Sequence, residues 1–178
     1  SVFGEMLTFK SLLKKSENKN QKISLLRSKI EDMLNTVFRQ VAFFKFEREV
    51  HLKRSSGELT EEEIGKIWMD TQKESLGPSI KFNDNYKYFW AYIPHFIHSP
   101  FYVYAYAFGD CLVNSLYKKY EDGDDDFIEK YYALLEAGGS VHYQNHLSKF
   151  KLNPKRRDFW QLGMNLIKNL MDDLEKLS

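Results

Sequence analysis

Between Ile23 and Arg54 no glycine or proline interrupts the chain, and Leu26, Ile30, Met33, Leu34, Val37, Val41 and Phe44 recur every three or four residues. That spacing gathers apolar side chains on one face of a helix. At about 1.5 Å per residue the helix runs roughly 48 Å, enough to span a domain. Such an element must bury its apolar face against other elements.

The rest of the sequence supplies more helices. Val2, Phe3, Met6, Leu7 and Leu13 fall at helical spacing, and a polar break at Ser16–Lys22 separates them from the long helix. Ser55, Ser56 and Gly57 stop the long helix. Thr60 with Glu63 reads as a capping box opening a helix through Ile64, Ile67 and Trp68 to about Leu76, where Gly77-Pro78 ends it. Ile80–Tyr86 is irregular, a loop or a short strand. After Pro100 the pattern is helical to about Tyr120. An acidic turn at Asp122–Asp126 follows, and one of its aspartates is expected to cap the helix through Ile128, Tyr131, Leu134 and Leu135. Gly138-Gly139 stops that helix; a short helix is expected at Val141–Phe150 and a last one at Arg157–Leu177. The fold class is all-α, a multi-helix bundle of about seven helices with little or no sheet.

Composition narrows the function classes. A net charge of +1 offers no basic field for nucleic acid, and no apolar run approaches the span of a membrane helix. The single cysteine, Cys111, excludes an internal disulfide and fits a reducing compartment. The first residues lack the basic and apolar regions of a signal peptide.

One stretch is chemically unusual. Tyr88–Gly109, YFWAYIPHFIHSPFYVYAYAFG, is dense in aromatic residues and holds His95 and His98 between prolines. A buried tyrosine brings a hydroxyl that needs a partner. Tyr102, Tyr104 and Tyr106 therefore read either as a polar-tipped wall of a ligand cleft or as a core helix with its hydroxyls at the surface. Pro94 and Pro100 hold the backbone around the two histidines away from regular helix. There a histidine or a tyrosine hydroxyl can donate to a substrate carbonyl, or make a structural hydrogen bond.

Metal motifs are missing: there is no H-E-x-x-H and no H-x-x-E-H. His142 and His146 would share a helix face, but no carboxylate accompanies them at zinc-site spacing, and exposed polar residues are the better reading. His51, among Arg48, Lys53 and Arg54, reads as solvated. The acids of Glu121–Asp126 are not in calcium-loop register. Cys111 has no reactive context and is expected to pack in a helix.

Several segments, taken together, resemble a known family: SVFGEML at the start, VFRQVAFFKFE at Val37–Glu47, WAYIPHF-IHSPFYVYAYAFG at Trp90–Gly109, and AGGS at Ala137–Ser140. The chain resembles, along essentially its whole length, the C-terminal part of oligoendopeptidase F, a zinc metalloendopeptidase family of the thimet oligopeptidase clan. The resemblance implies a zincin-like helical fold, with residues 1–178 as a single helical segment of the catalytic domain starting just after the third zinc ligand. The H-E-x-x-H pair, the general base and that third ligand would lie upstream. Zinc would belong to the intact parent enzyme, no metal would be held by this chain, and the isolated chain would be inactive.

The resemblance also implies site roles. Tyr106, then Tyr104, with His95, would stabilise the oxyanion; Tyr102 and His98 would bind the substrate backbone. Glu5 would hydrogen-bond a zinc-ligating histidine from behind. Arg39 and Gln40 match a recurrent pair without an assigned role. The implied partners are an oligopeptide substrate and the N-terminal part of the same cytoplasmic enzyme, with self-association through apolar surface that this part would cover; nucleic acid and membrane are excluded. The alternative is a non-catalytic helical module that grips a peptide or protein.

Overall fold

The computed structural model describes residues 1–178. It is all helix: α1 (Val2–Lys15), α2 (Lys19–Leu34), a π-helical turn (Asn35–Arg39), α3 (Gln40–Arg54), α4 (Glu61–Leu76), a 3-10 helix (Asp84–Tyr92), α5 (His95–His98), α6 (Tyr104–Glu121), α7 (Phe127–Ala137), α8 (Tyr143–Lys149) and α9 (Arg157–Leu177). No strand forms; Ile80–Asn83 is a loop leading into the 3-10 helix.

The long helix begins inside the expected polar break. The Asn18 side chain accepts from the backbone N–H of Asn20 at 2.8 Å and so caps the first turn. The π-turn then changes the register of everything after it. Leu26, Ile30, Met33 and Val37 are buried at the expected spacing. An unbroken α-helix would next bury Val41 and Phe44. Instead Ala42, Phe43, Phe46 and Glu47 turn inward, while Val41 is 39% exposed and Phe44 only half-buried. A π-turn closes one residue later than an α-turn, so the stripe before it does not continue in register after it. Glu47, a carboxylate, lies on this buried face.

The chain divides into two compact units, Ser1–Glu31 with Asp110–Ser178, and Asp32–Gly109. In the second unit the core is Phe43, Phe46, Ile67, Trp68 and Val103. Trp68 stacks on Phe43 at 5.4 Å, meets Phe46 edge-on at 5.1 Å and tilts against Tyr86 at 5.7 Å. Gly65 lets the 3-10 helix lie against α4: a Cβ there would stand 3.2 Å from the Lys87 carbonyl oxygen. The capping box forms as expected. Thr60 N–H donates to Glu63 Oε2 at 2.7 Å, and Glu63 N–H donates to Thr60 Oγ1 at 3.3 Å. The Thr60 N–H and the Thr60 hydroxyl, both donating to Glu63 Oε2, hold the Glu63 carboxyl below its ordinary value.

In the first unit Phe3 of α1 sits among Tyr117 and Tyr120 of α6 and Phe127 and Tyr131 of α7, with ring centroids 4.7–5.9 Å away. α9 crosses α6 closely because Gly163 faces Cys111; a Cβ there would lie 3.3 Å from the Cys111 Cα. Ser115 Oγ donates to the Phe159 carbonyl at 3.0 Å across the same crossing. Cys111 is buried, as expected, and burial pushes its thiol up to about 12, which removes it as a nucleophile at neutral pH.

Two expectations fail in this unit. Asp126 occupies the N-cap of α7, but with φ 57° its side chain makes no capping bond. In that left-handed conformation the carboxylate is not aimed at the free N–H groups of the first turn. His142 and His146 do not share a helix face. His142 precedes α8 as its N-cap, its Nδ1 accepting from Gln144 N–H at 3.4 Å, whereas His146 is buried inside the helix packing rather than exposed.

Candidate functional site

The aromatic stretch folds as three short pieces. The 3-10 helix ends at Tyr92, and Pro94 starts the single turn α5. Ser99-Pro100-Phe101-Tyr102 then reverses the chain, with Tyr102 N–H donating to the Ser99 carbonyl at 3.2 Å. Proline in the second place and a positive φ in the third, 60° at Phe101, form the type II pattern, which ordinarily carries glycine there. α6 begins two residues later.

This path brings three expected site residues into mutual contact. His95 Nε2 lies 3.1 Å from Tyr106 Oη. The His95 ring stacks parallel to Tyr102 at 6.1 Å, and Tyr106 stands edge-on to both rings, 5.7 Å from His95 and 5.5 Å from Tyr102. Tyr102 is 52% exposed and Tyr106 41% exposed, so the cluster is a surface wall and not a core helix. Tyr104 does not join it. Two residues from Tyr106 on α6, it projects about 200° round the axis. Its ring meets Phe44 of α3 edge-on at 5.9 Å. His98 is exposed at the end of α5.

Glu5 belongs to the first unit. It is exposed on α1 and accepts from Ser1 Oγ at 2.8 Å. Its charge adds to the rise that burial imposes on the Asp110 carboxyl, which the Asn114 side-chain bond opposes. Among the recurrent pair, Gln40 keeps a buried side-chain oxygen without a partner.

Sequence reasoning missed one residue of this neighbourhood. Glu47, 2% exposed on α3, accepts from Phe101 N–H through Oε1 at 2.7 Å. Its sequence neighbours Lys45, Arg48 and Glu49 mark it as an ordinary surface glutamate. No group of three or more His, Cys, Asp or Glu side chains gathers anywhere in the chain, so its residues do not by themselves fit a zinc site.

The arrangement has counterparts in known proteins. Residues 1–166 match the model of "Peptidase family M3". The plasmid-encoded oligoendopeptidase F of Lactococcus lactis subsp. cremoris is 30% identical over 178 residues, 99% of this chain and 30% of its own length. The oligopeptidase PepF of Bacillus subtilis (strain 168) is 28% identical over 99% of this chain and 26% of its own. The crystal structure of oligoendopeptidase-F from Enterococcus faecium superposes with a TM-score of 0.91 at 25% identity, covering 99% of this chain and 34% of that one. The chain thus spans about a third or less of each of these proteins. With its all-helical fold and a family match running nearly end to end, this chain belongs to peptidase family M3.

Proposed function

We propose that this chain is the C-terminal portion of the catalytic domain of a zinc metallopeptidase of the oligoendopeptidase F kind, and that it holds an oligopeptide substrate for hydrolysis. The zinc ligands and the general base would be carried by the rest of the enzyme. The observation that carries the reading is the exposed His95–Tyr106 pair walled by Tyr102. It supplies a donor among exposed aromatic rings, which suits a peptide backbone.

The chemistry of the pair follows from its tautomers. With the proton on Nε2, His95 donates to Tyr106 Oη, and the tyrosine's own proton is free to point at a peptide carbonyl. With Nε2 unprotonated, Tyr106 spends its proton on the ring. The first state is the working one. As charge grows on the carbonyl oxygen the tyrosine bond strengthens, and His95 keeps the hydroxyl aimed. Tyr102 and His98 border the same piece of chain and would hold the flanking backbone. Tyr104, packed on Phe44, is assigned a lesser part. Glu5 would support a metal-binding histidine of the missing portion.

The surface is in keeping with a missing portion. Ile128, Tyr132 and Leu135, at i, i+4 and i+7 on α7, are 55%, 61% and 57% exposed, an apolar stripe that the rest of an enzyme would cover. The buried, unpaired Cys111 fits a cytoplasmic setting.

The test is a peptidase assay on the isolated 178-residue chain, with zinc and with a chelator. No turnover above background is expected in either condition. Turnover that the chelator abolishes and zinc restores would contradict the proposal.

A further inference from the structure

Glu47 is a carboxylate in the interior of the second unit. A carboxylate 2% exposed would ordinarily be paired with a cation, yet no ion pair forms. One oxygen, Oε2, is buried without any partner. Its one hydrogen bond is from Phe101 N–H, 54 residues away in sequence, at 2.7 Å. Burying a carboxylate for a single backbone bond is costly.

The position of that bond explains it. Phe101 is the third residue of the Ser99–Tyr102 turn, so its N–H belongs to the central peptide of the turn. Type I and type II turns differ mainly by a rotation of that peptide. With a phenylalanine in the third place type I is preferred, since φ near +60° disfavours any residue with a Cβ. Here φ is 60°. The Glu47 oxygen holds the peptide in the rotated state, and the His51 ring, 4.8 Å from the Phe101 ring, packs on the side chain that results. The turn joins α5 to α6, and Tyr102 is its last residue.

The geometry points to Glu47 as the positioning residue of the peptide-binding wall: by fixing the Pro100–Phe101 peptide it sets Tyr102 against His95 and Tyr106. This rests on the proposed role of those three residues, but the geometric claim is tested separately. Glu47 touches no substrate; it acts through the turn.

The experiment uses the 178-residue chain without substrate. Proton NMR reads the cross-peaks from the Tyr102 ring to the His95 and Tyr106 rings, and circular dichroism reads helix content. Glu47→Gln keeps an acceptor for Phe101 N–H and should keep the cross-peaks. Glu47→Met fills the space but accepts nothing; it should lose them while helix content stays at the parent level. Glu47→Met combined with Phe101→Gly should regain them, because glycine enters the positive-φ state unaided. A merely structural glutamate would not be rescued by a glycine in the turn. Cross-peaks that survive Glu47→Met overturn the inference. So does a Glu47→Met chain that loses its helix content, or a double variant that does not recover. If the cross-peaks respond as expected but the chain binds no peptide, the functional proposal fails and the role of Glu47 in the turn stands.

Discussion

Replacing Tyr106 by phenylalanine, in an oligopeptidase whose C-terminal segment is replaced by this chain, is expected to lower kcat about 100- to 1,000-fold while KM changes little. The substitution removes one oxygen and leaves the ring. Its edge-on contacts with His95 and Tyr102 survive, so the wall keeps its shape. What disappears is the hydroxyl that, on the proposed role, donates more strongly as charge develops on the carbonyl oxygen. A group that acts mainly in the transition state shows itself in kcat. Tyr104→Phe in the same enzyme should cost far less, because that ring packs on Phe44 instead. Equal losses for the two variants, or a Tyr106→Phe effect confined to KM, would remove Tyr106 from the oxyanion role.

Trp68→Ala should be the most damaging single change to the fold of the second unit. The indole is 1% exposed and packs against Phe43, Phe46, Tyr86 and Phe96. Truncating a large buried aromatic costs about 3–5 kcal/mol through lost burial and the cavity left behind. The indole N–H is buried without a partner, so its removal offsets part of that loss and places the expectation near the lower end. Urea unfolding followed by circular dichroism would measure it. A loss below about 1 kcal/mol would mean that the cluster can collapse around the gap.

The two results probe different depths of one arrangement. Phe96 follows His95 directly on α5 and lies among the rings around Trp68, 5.1 Å from Phe46. Phe96 therefore anchors α5 in the core while His95 faces Tyr106. The site is the outer edge of a packed aromatic cluster, and a rigid support is what an oxyanion donor requires.

Much of this was legible from residue order alone. The capping box at Thr60, the stop at Gly77 and the span of α9 are local signals, written within a few residues and little affected by tertiary context. Pro94 and Pro100 mark the break from regular helix around His95, but the contact between His95 and Tyr106 is not written in the residue order. Other features were not legible, for physical reasons. A π-turn needs no glycine or proline, so Asn35–Arg39 looks like ordinary helix. The register after it is set by what packs on Phe43 and Phe46. The unbroken spacing therefore puts Val41 on the wrong face and gives no sign that Glu47 is buried. Asp126 has the right residue type for a cap, but its left-handed backbone directs the side chain elsewhere. His146 carries no sign of burial in its polar surroundings, Gln144, Asn145 and Ser148.

On the proposed function, a peptide touches this chain at the wall of His95, Tyr102 and Tyr106. Titrating the isotope-labelled chain with an oligopeptide and following its NMR spectrum reads that contact directly. The largest shifts should fall on His95, Tyr102 and Tyr106. Saturable binding that leaves those three unmoved and shifts residues elsewhere would contradict the proposed function.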